Sequence, residues 1–142
     1  LEAAAQAPGR SGRRIEGRPA GLGVVALLPD LGPGLDPEAC GQALARLCAD
    51  PEVRAVLVFG SRVRGEALSD SDLDLAVIVG RAKLSPAEKA SCWQRLRAAL
   101  GPLGVRVDLV VAGAADAERL SGSRWHVFGD VAREGKVLYV AG

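Results

Sequence analysis

Two stretches near the middle of the chain decide its reading. They are Phe59-Gly60-Ser61-Arg62-Val63-Arg64-Gly65 and, a few residues on, Ser69-Asp70-Ser71-Asp72-Leu73-Asp74-Leu75. The first follows a valine-rich run from Val53 to Phe59 and reads as a strand closing on a glycine turn. A strand that ends in Gly60-Ser61 and enters a short helix places backbone N–H groups at the helix start. Glycine there permits a tight turn and the close approach of a phosphate. The Ser61 hydroxyl adds a donor, and Arg62 or Arg64 supplies positive charge. Alone, such a turn specifies little.

The second stretch changes the odds. Asp72 and Asp74 open a strand that runs from Leu73 to Val79, and strand alternation turns both carboxylates to one face. Leu73, Leu75, Val77 and Val79 face the other way, as the packed side of a sheet. A third strand, Val105 to Ala112, repeats the arrangement: Val105, Val107, Leu109 and Val111 form the apolar side. Asp108 points away from it, able to join Asp72 and Asp74 if the two strands are neighbours. Three carboxylates on one face repel one another unless a cation lies among them. Oxygen donors of this kind suit Mg²⁺ or Mn²⁺. Two such ions about 3.5–4 Å apart can stabilise the attacking and leaving oxygens of a displacement at phosphorus. The turn and the acidic triad together point to phosphoryl-group chemistry.

Working outward, Asp36-Pro37 reads as an N-cap with proline at the first helical position. Cys40, Ala43, Leu44, Leu47 and Cys48 then recur at helical spacing. Ser85-Pro86-Ala87-Glu88 has the form of a capping box, and its helix shows Lys89, Trp93, Leu96 and Leu100 on one side before Gly101-Pro102. Val24 to Leu28 is a short strand or buried turn, Trp125 to Arg133 reads as a helix, and Lys136 to Val140 as a closing strand. Helix and strand alternate without internal repeats, the pattern of an α/β or α+β domain. The expected fold is a small mixed β-sheet with helices packed on one face. Residues 1–20, arginine-rich and without apolar period, read as a flexible tail, leaving one domain over residues 21–142. Ile15-Glu16-Gly17-Arg18 also spells a protease site, so this stretch is set aside from the fold.

Composition narrows the function class. The 142 residues include 18 basic and 17 acidic side chains, a formal charge of +1, which disfavours a mainly electrostatic nucleic-acid binder. Aromatics are only 4%, so the core is aliphatic. Cys40, Cys48 and Cys92 are odd in number and form no CxxC pair, which argues against a disulfide framework or structural zinc and fits a reducing cytoplasm. Cys92 beside Trp93 reads as a buried thiol. No apolar run approaches the roughly 20 residues of a membrane span. His126, the only histidine, reads as a structural or surface group, and Trp93 and Trp125 as core anchors rather than base-stacking platforms.

Gly60-Ser61-Arg62-Val63-Arg64-Gly65, Ser71-Asp72-Leu73-Asp74-Leu75, the later Asp108 and the ending Arg133-Glu134-Gly135-Lys136-Val137-Leu138-Tyr139 together resemble the nucleotidyltransferase superfamily of the DNA polymerase β type. The similarity is to its minimal members and covers residues 36 to 140. It implies the polymerase beta-like nucleotidyltransferase fold, with Gly60 and Ser61 holding nucleotide phosphates and Arg62 and Arg64 where the family often has basic residues. By the same resemblance Asp72, Asp74 and Asp108 ligate two Mg²⁺ (or Mn²⁺) ions, and Asp108 accepts the proton of the attacking hydroxyl. Larger relatives carry a second, acceptor-binding domain that has no counterpart here. The acceptor is then recognised by a partner protein or a second copy, or is the partner itself. Minimal members often pair with a small helical HEPN-family protein as antitoxin and toxin. The resemblance thus implies transfer of AMP from ATP to a hydroxyl of such a partner. The alternatives are a module that neutralises its partner by contact alone, and a transferase for small molecules of the aminoglycoside-modifying sort.

Overall fold

Valine-rich runs supply the sheet, and proline-capped amphipathic runs supply the helices that cover it. The computed structural model describes residues 13–14, 23–25, 27–123 and 126–141. Strands β1 (Arg13–Arg14), β2 (Gly23–Val25) and β3 (Leu27–Leu28) precede helix α1 (Pro37–Cys48), strand β4 (Val53–Phe59) and the one-turn helix α2 (Ser61–Arg64). Then come β5 (Leu73–Val79), α3 (Pro86–Leu100), β6 (Val107–Gly113), α4 (Ala114–Leu120), α5 (Val127–Glu134) and β7 (Lys136–Ala141). The short β1 pairs with β3, and the five-stranded sheet runs β2-β7-β4-β5-β6. Every pairing in it is antiparallel except β5 with β6, which is parallel. Helix α3 makes that parallel crossover, because parallel neighbours cannot be joined by a tight turn. Apart from Arg13–Arg14, which pairs in β1, the stretch read as a tail lies outside the described residues, as does Trp125.

Local signals place the long helices. The Asp36 carboxylate accepts the N–H groups of Glu38 and Ala39, with Pro37 at the first position. At α3 the Ser85 hydroxyl and the Glu88 side chain cap each other's backbone, a complete capping box. Both helices cover the sheet face built by Val56, Val58, Leu73, Leu75, Val77, Leu109 and Val111, pressing Leu44, Leu47, Cys92, Leu96 and Leu100 into it. The three cysteines are buried and unbridged, as read from the sequence. Burial pushes the Cys40 thiol up to about 11, so it stays protonated.

Two expectations need correction. Helices do not keep to one face: Ala117 of α4 and Phe128 and Val131 of α5 pack on the opposite side against Ala55, Leu57, Phe59 and Ala76. The alternate residues of β4 and β5 are themselves apolar, so that face also had to be covered. Nor is Trp93 a core anchor. The buried stripe of α3 is Cys92, Leu96 and Leu100, while Trp93 is 40% exposed and its indole N–H donates to the Leu109 carbonyl at 2.9 Å. Trp93 lies over β6, an outer strand of the sheet, where it satisfies a backbone acceptor.

Candidate active site

Sheet topology gathers the residues singled out from the sequence. β4 and β5 run antiparallel, so the end of one meets the start of the other, and Phe59 pairs with Asp74. β5 and β6 run parallel with Asp74 opposite Asp108. Gly60, Asp72, Asp74 and Asp108 therefore meet at one end of the sheet. The three aspartates share the face that carries Ala76 and Ala112, not the face covered by α1 and α3.

Gly60 is fitted to this place. Its φ of +83° is costly for any other residue, and a Cβ built on it falls 2.0 Å from Oδ2 of Asp74. The Asp74 carboxylate thus lies directly against the turn. Burial pushes its pKa up to about 6, helped by the charges of Asp108 and then Asp72, while Arg64 opposes the rise. A half-buried carboxylate flanked by two others is short of positive charge. That shortage, and a donor set made wholly of hard oxygens, fit a divalent cation of the Mg²⁺ kind. Among the described residues no three acidic, histidine or cysteine side chains are drawn tightly enough together to form a ready-made cation site. Arg106 lies between two of the aspartates, Nε 3.6 Å from Asp72 and Nη2 4.0 Å from Asp108, with its side chain 73% exposed.

The two arginines of α2 part company. Arg62 is 1% exposed. Its Nε donates to the Ser71 carbonyl at 3.1 Å, and Nη1 donates to Leu31 and Pro33 at 2.8 Å each. Nη2 donates to Ser71 at 2.8 Å and Leu68 at 3.4 Å. All five guanidinium hydrogens are committed to backbone carbonyls, so the expectation that Arg62 meets phosphate is overturned. It ties the loop before α1 to the loop before β5, the loop that delivers Asp72. The two loops touch: a Cβ on Gly34 falls 1.9 Å from the Ser69 carbonyl oxygen. Arg64 faces outward, donating Nε to Glu66 at 2.8 Å and Nη1 to Glu134 at 3.1 Å.

Glu134 and Arg106 escaped the sequence reading. Glu134 accepts the Gly60 N–H at 3.1 Å, a contact across 74 residues of chain that no local pattern announces. Arg106 was legible: it stands two residues before Asp108, on the same side of the strand. His126 is structural, its Nδ1 accepting the Phe128 N–H at the start of α5. An apolar cavity of about 530 Å³ lies elsewhere, between α4, α5 and the sheet, with Leu57, Ile78, Ala117, Phe128 and Val131 in its wall.

Residues 42–140 match the family described as Polymerase beta, Nucleotidyltransferase. Among solved structures, a toxin–antitoxin complex with AMP-PNP contains a chain 26% identical, covering 68% of this chain and 69% of that one at a TM-score of 0.45. A chain of the toxin–antitoxin MntA-HepT is 22% identical over 72% and 71%, with a TM-score of 0.43. A third structure holds a tri-AMPylated Shewanella oneidensis HEPN toxin with its MNT antitoxin: 25% identity, 67% and 65% covered, TM-score 0.39. Curated proteins yield no significant match.

Proposed function

The chain belongs to the polymerase beta nucleotidyltransferase family, and from that membership we propose that residues 21–142 form a single domain moving AMP from ATP onto a hydroxyl of a partner protein. The observation that carries the reading is the meeting of Gly60 with Asp72, Asp74 and Asp108 at one end of the sheet. The Gly60-Ser61 turn takes the nucleotide's phosphates, with Arg64 as the basic side chain beside it. Asp72, Asp74 and Asp108 hold the divalent cations, which when bound neutralise charge that builds up on the transferring phosphoryl group. Asp108, with its side chain 58% exposed, is placed to meet an acceptor arriving from solvent. There it takes the proton of the attacking hydroxyl as the new phosphorus–oxygen bond forms and pyrophosphate leaves. Arg106, beside Asp108, screens the acidic cluster.

The sequence resemblance to minimal family members supports a HEPN-type helical protein as acceptor, the chain acting as its antitoxin in the cytoplasm. No described helix is long and apolar enough to cross a membrane. The test is transfer of labelled AMP to the co-expressed partner. Asp72→Ala with Asp74→Ala is expected to abolish labelling, a loss of at least about a thousandfold for removal of the cation ligands. Undiminished labelling by the double variant would sink the assignment. Neutralisation of the partner without labelling would transfer support to a module that acts by contact alone.

A further inference from the structure

The site described so far has no use for Glu134, yet that carboxylate is built into it. Glu134 ends α5, one residue before Gly135. Oε1 accepts the Gly60 N–H at 3.1 Å, and both oxygens accept from Nη1 of Arg64 at 3.1 Å. An exposed ion pair alone means little. This one has its carboxylate side only 27% exposed, and it joins a backbone N–H to a guanidinium, the two kinds of donor that take phosphate oxygens. An anion already stands where the phosphates of a nucleotide are proposed to bind. It is delivered by the C-terminal end of a helix rather than by the turn itself.

We infer that Glu134 is a resident competitor for the nucleotide's phosphates: it positions Arg64 and the Gly60 N–H in the free protein and yields both to a nucleoside triphosphate. The inference rests on the nucleotide reading above and deepens it. A triphosphate carries several negative charges against the single charge of one carboxylate, so it can displace Glu134 where a weakly charged ligand gains little. Glu134 thereby sets a charge threshold for entry. Its release also loosens the junction between α5 and β7, which couples occupancy of the turn to the last strand of the chain.

The deciding experiment is calorimetric titration of AMP-PNP with Mg²⁺ into the wild-type protein and Glu134→Gln. The glutamine keeps an oxygen for the Gly60 N–H but removes the charge. It is expected to bind the nucleotide roughly three- to tenfold tighter, the effect of deleting one like charge about 5 Å away in a partly solvated site. In transfer assays the KM for nucleotide is expected to fall by a similar factor, with kcat changing less. A merely structural Glu134 predicts unchanged or weaker binding, and either result overturns the inference. Hydrogen exchange on the wild-type protein decides the matter should the variant not fold. Nucleotide is expected to speed exchange at Gly135 and Lys136, and unchanged or slower exchange there at saturation counts against displacement. Absence of any Mg²⁺-dependent nucleotide binding by the wild type takes down both readings, whereas binding that Glu134→Gln leaves unaltered takes down this one alone.

Discussion

Arg62 and Arg64 stand two residues apart on the same single turn of helix, with the same charge and the same reach. Arg62 turns into the protein, where carbonyls of Leu31, Pro33, Leu68 and Ser71 consume its hydrogens. Arg64 turns out and meets only carboxylates, those of Glu66 and Glu134. A guanidinium facing neutral carbonyls is a strut, because its fork matches acceptors fixed by the backbone and leaves no hydrogen over. A guanidinium facing side-chain carboxylates at the surface can exchange them for another anion. Burial and partner type, not residue type, divide the two roles.

The largest expected effect is on the strut. Arg62→Ala strands four carbonyl groups and empties a buried volume, and is expected to cost about 3–5 kcal/mol of stability. Denaturant titration checks it. Arg62→Lys is expected to recover little, since three donors on a flexible stem cannot span both loops. A near-wild-type midpoint for Arg62→Ala would erase the contrast.

A middle-sized effect belongs to the side on which Arg64 lies. Asp74 has its pKa raised from 3.8 to about 6, chiefly by burial. The folded chain then holds this proton more tightly than the unfolded chain does. Stability of the metal-free protein should accordingly fall as pH rises from about 4 to about 6, then level off. Because the group is only partly buried and solvent screens it, the loss is expected to be about 1 kcal/mol rather than the full value of the shift. Asp74→Asn should remove the slope and raise the melting temperature at pH 7 by a few degrees. Arg64→Ala should extend the slope to higher pH, because the cation opposing protonation is gone.

The smallest effect on stability is expected from Arg64→Ala itself. Its ion pairs are exposed and screened by solvent, so the melting temperature should move only slightly. Nucleotide affinity should nonetheless fall several-fold in the same variant. If melting falls as far as in Arg62→Ala, the division of labour between the two arginines is wrong.

Much of this was readable in advance. The alternation Leu73-Asp74-Leu75 and Val107-Asp108-Leu109 announces which face the carboxylates take, because a strand's period is two and its buried side must be apolar. Pro37 and Pro86 mark the helix starts to the residue, since capping is local chemistry. The reading failed where local patterns leave two options open. On α3 the stripe through Lys89 and Trp93 and the stripe through Cys92 both reach Leu96 and Leu100, and only the position of the β6 edge selects the second. Ala117, Phe128 and Val131 fill too short a pattern to show that they cover a sheet's second face.

The sequence by itself determined the kinds of element, the side of each strand, the aspartates and the glycine at the site, since each depends on neighbours a few residues apart. Only the tertiary structure decided that Asp74 faces Asp108 across a parallel pair, that Arg62 is consumed internally, and that Glu134 reaches Gly60. Those contacts join segments from six to 74 residues apart. Their partners are chosen by how the sheet closes and how its ends are covered, and chain-local propensity carries no record of that choice.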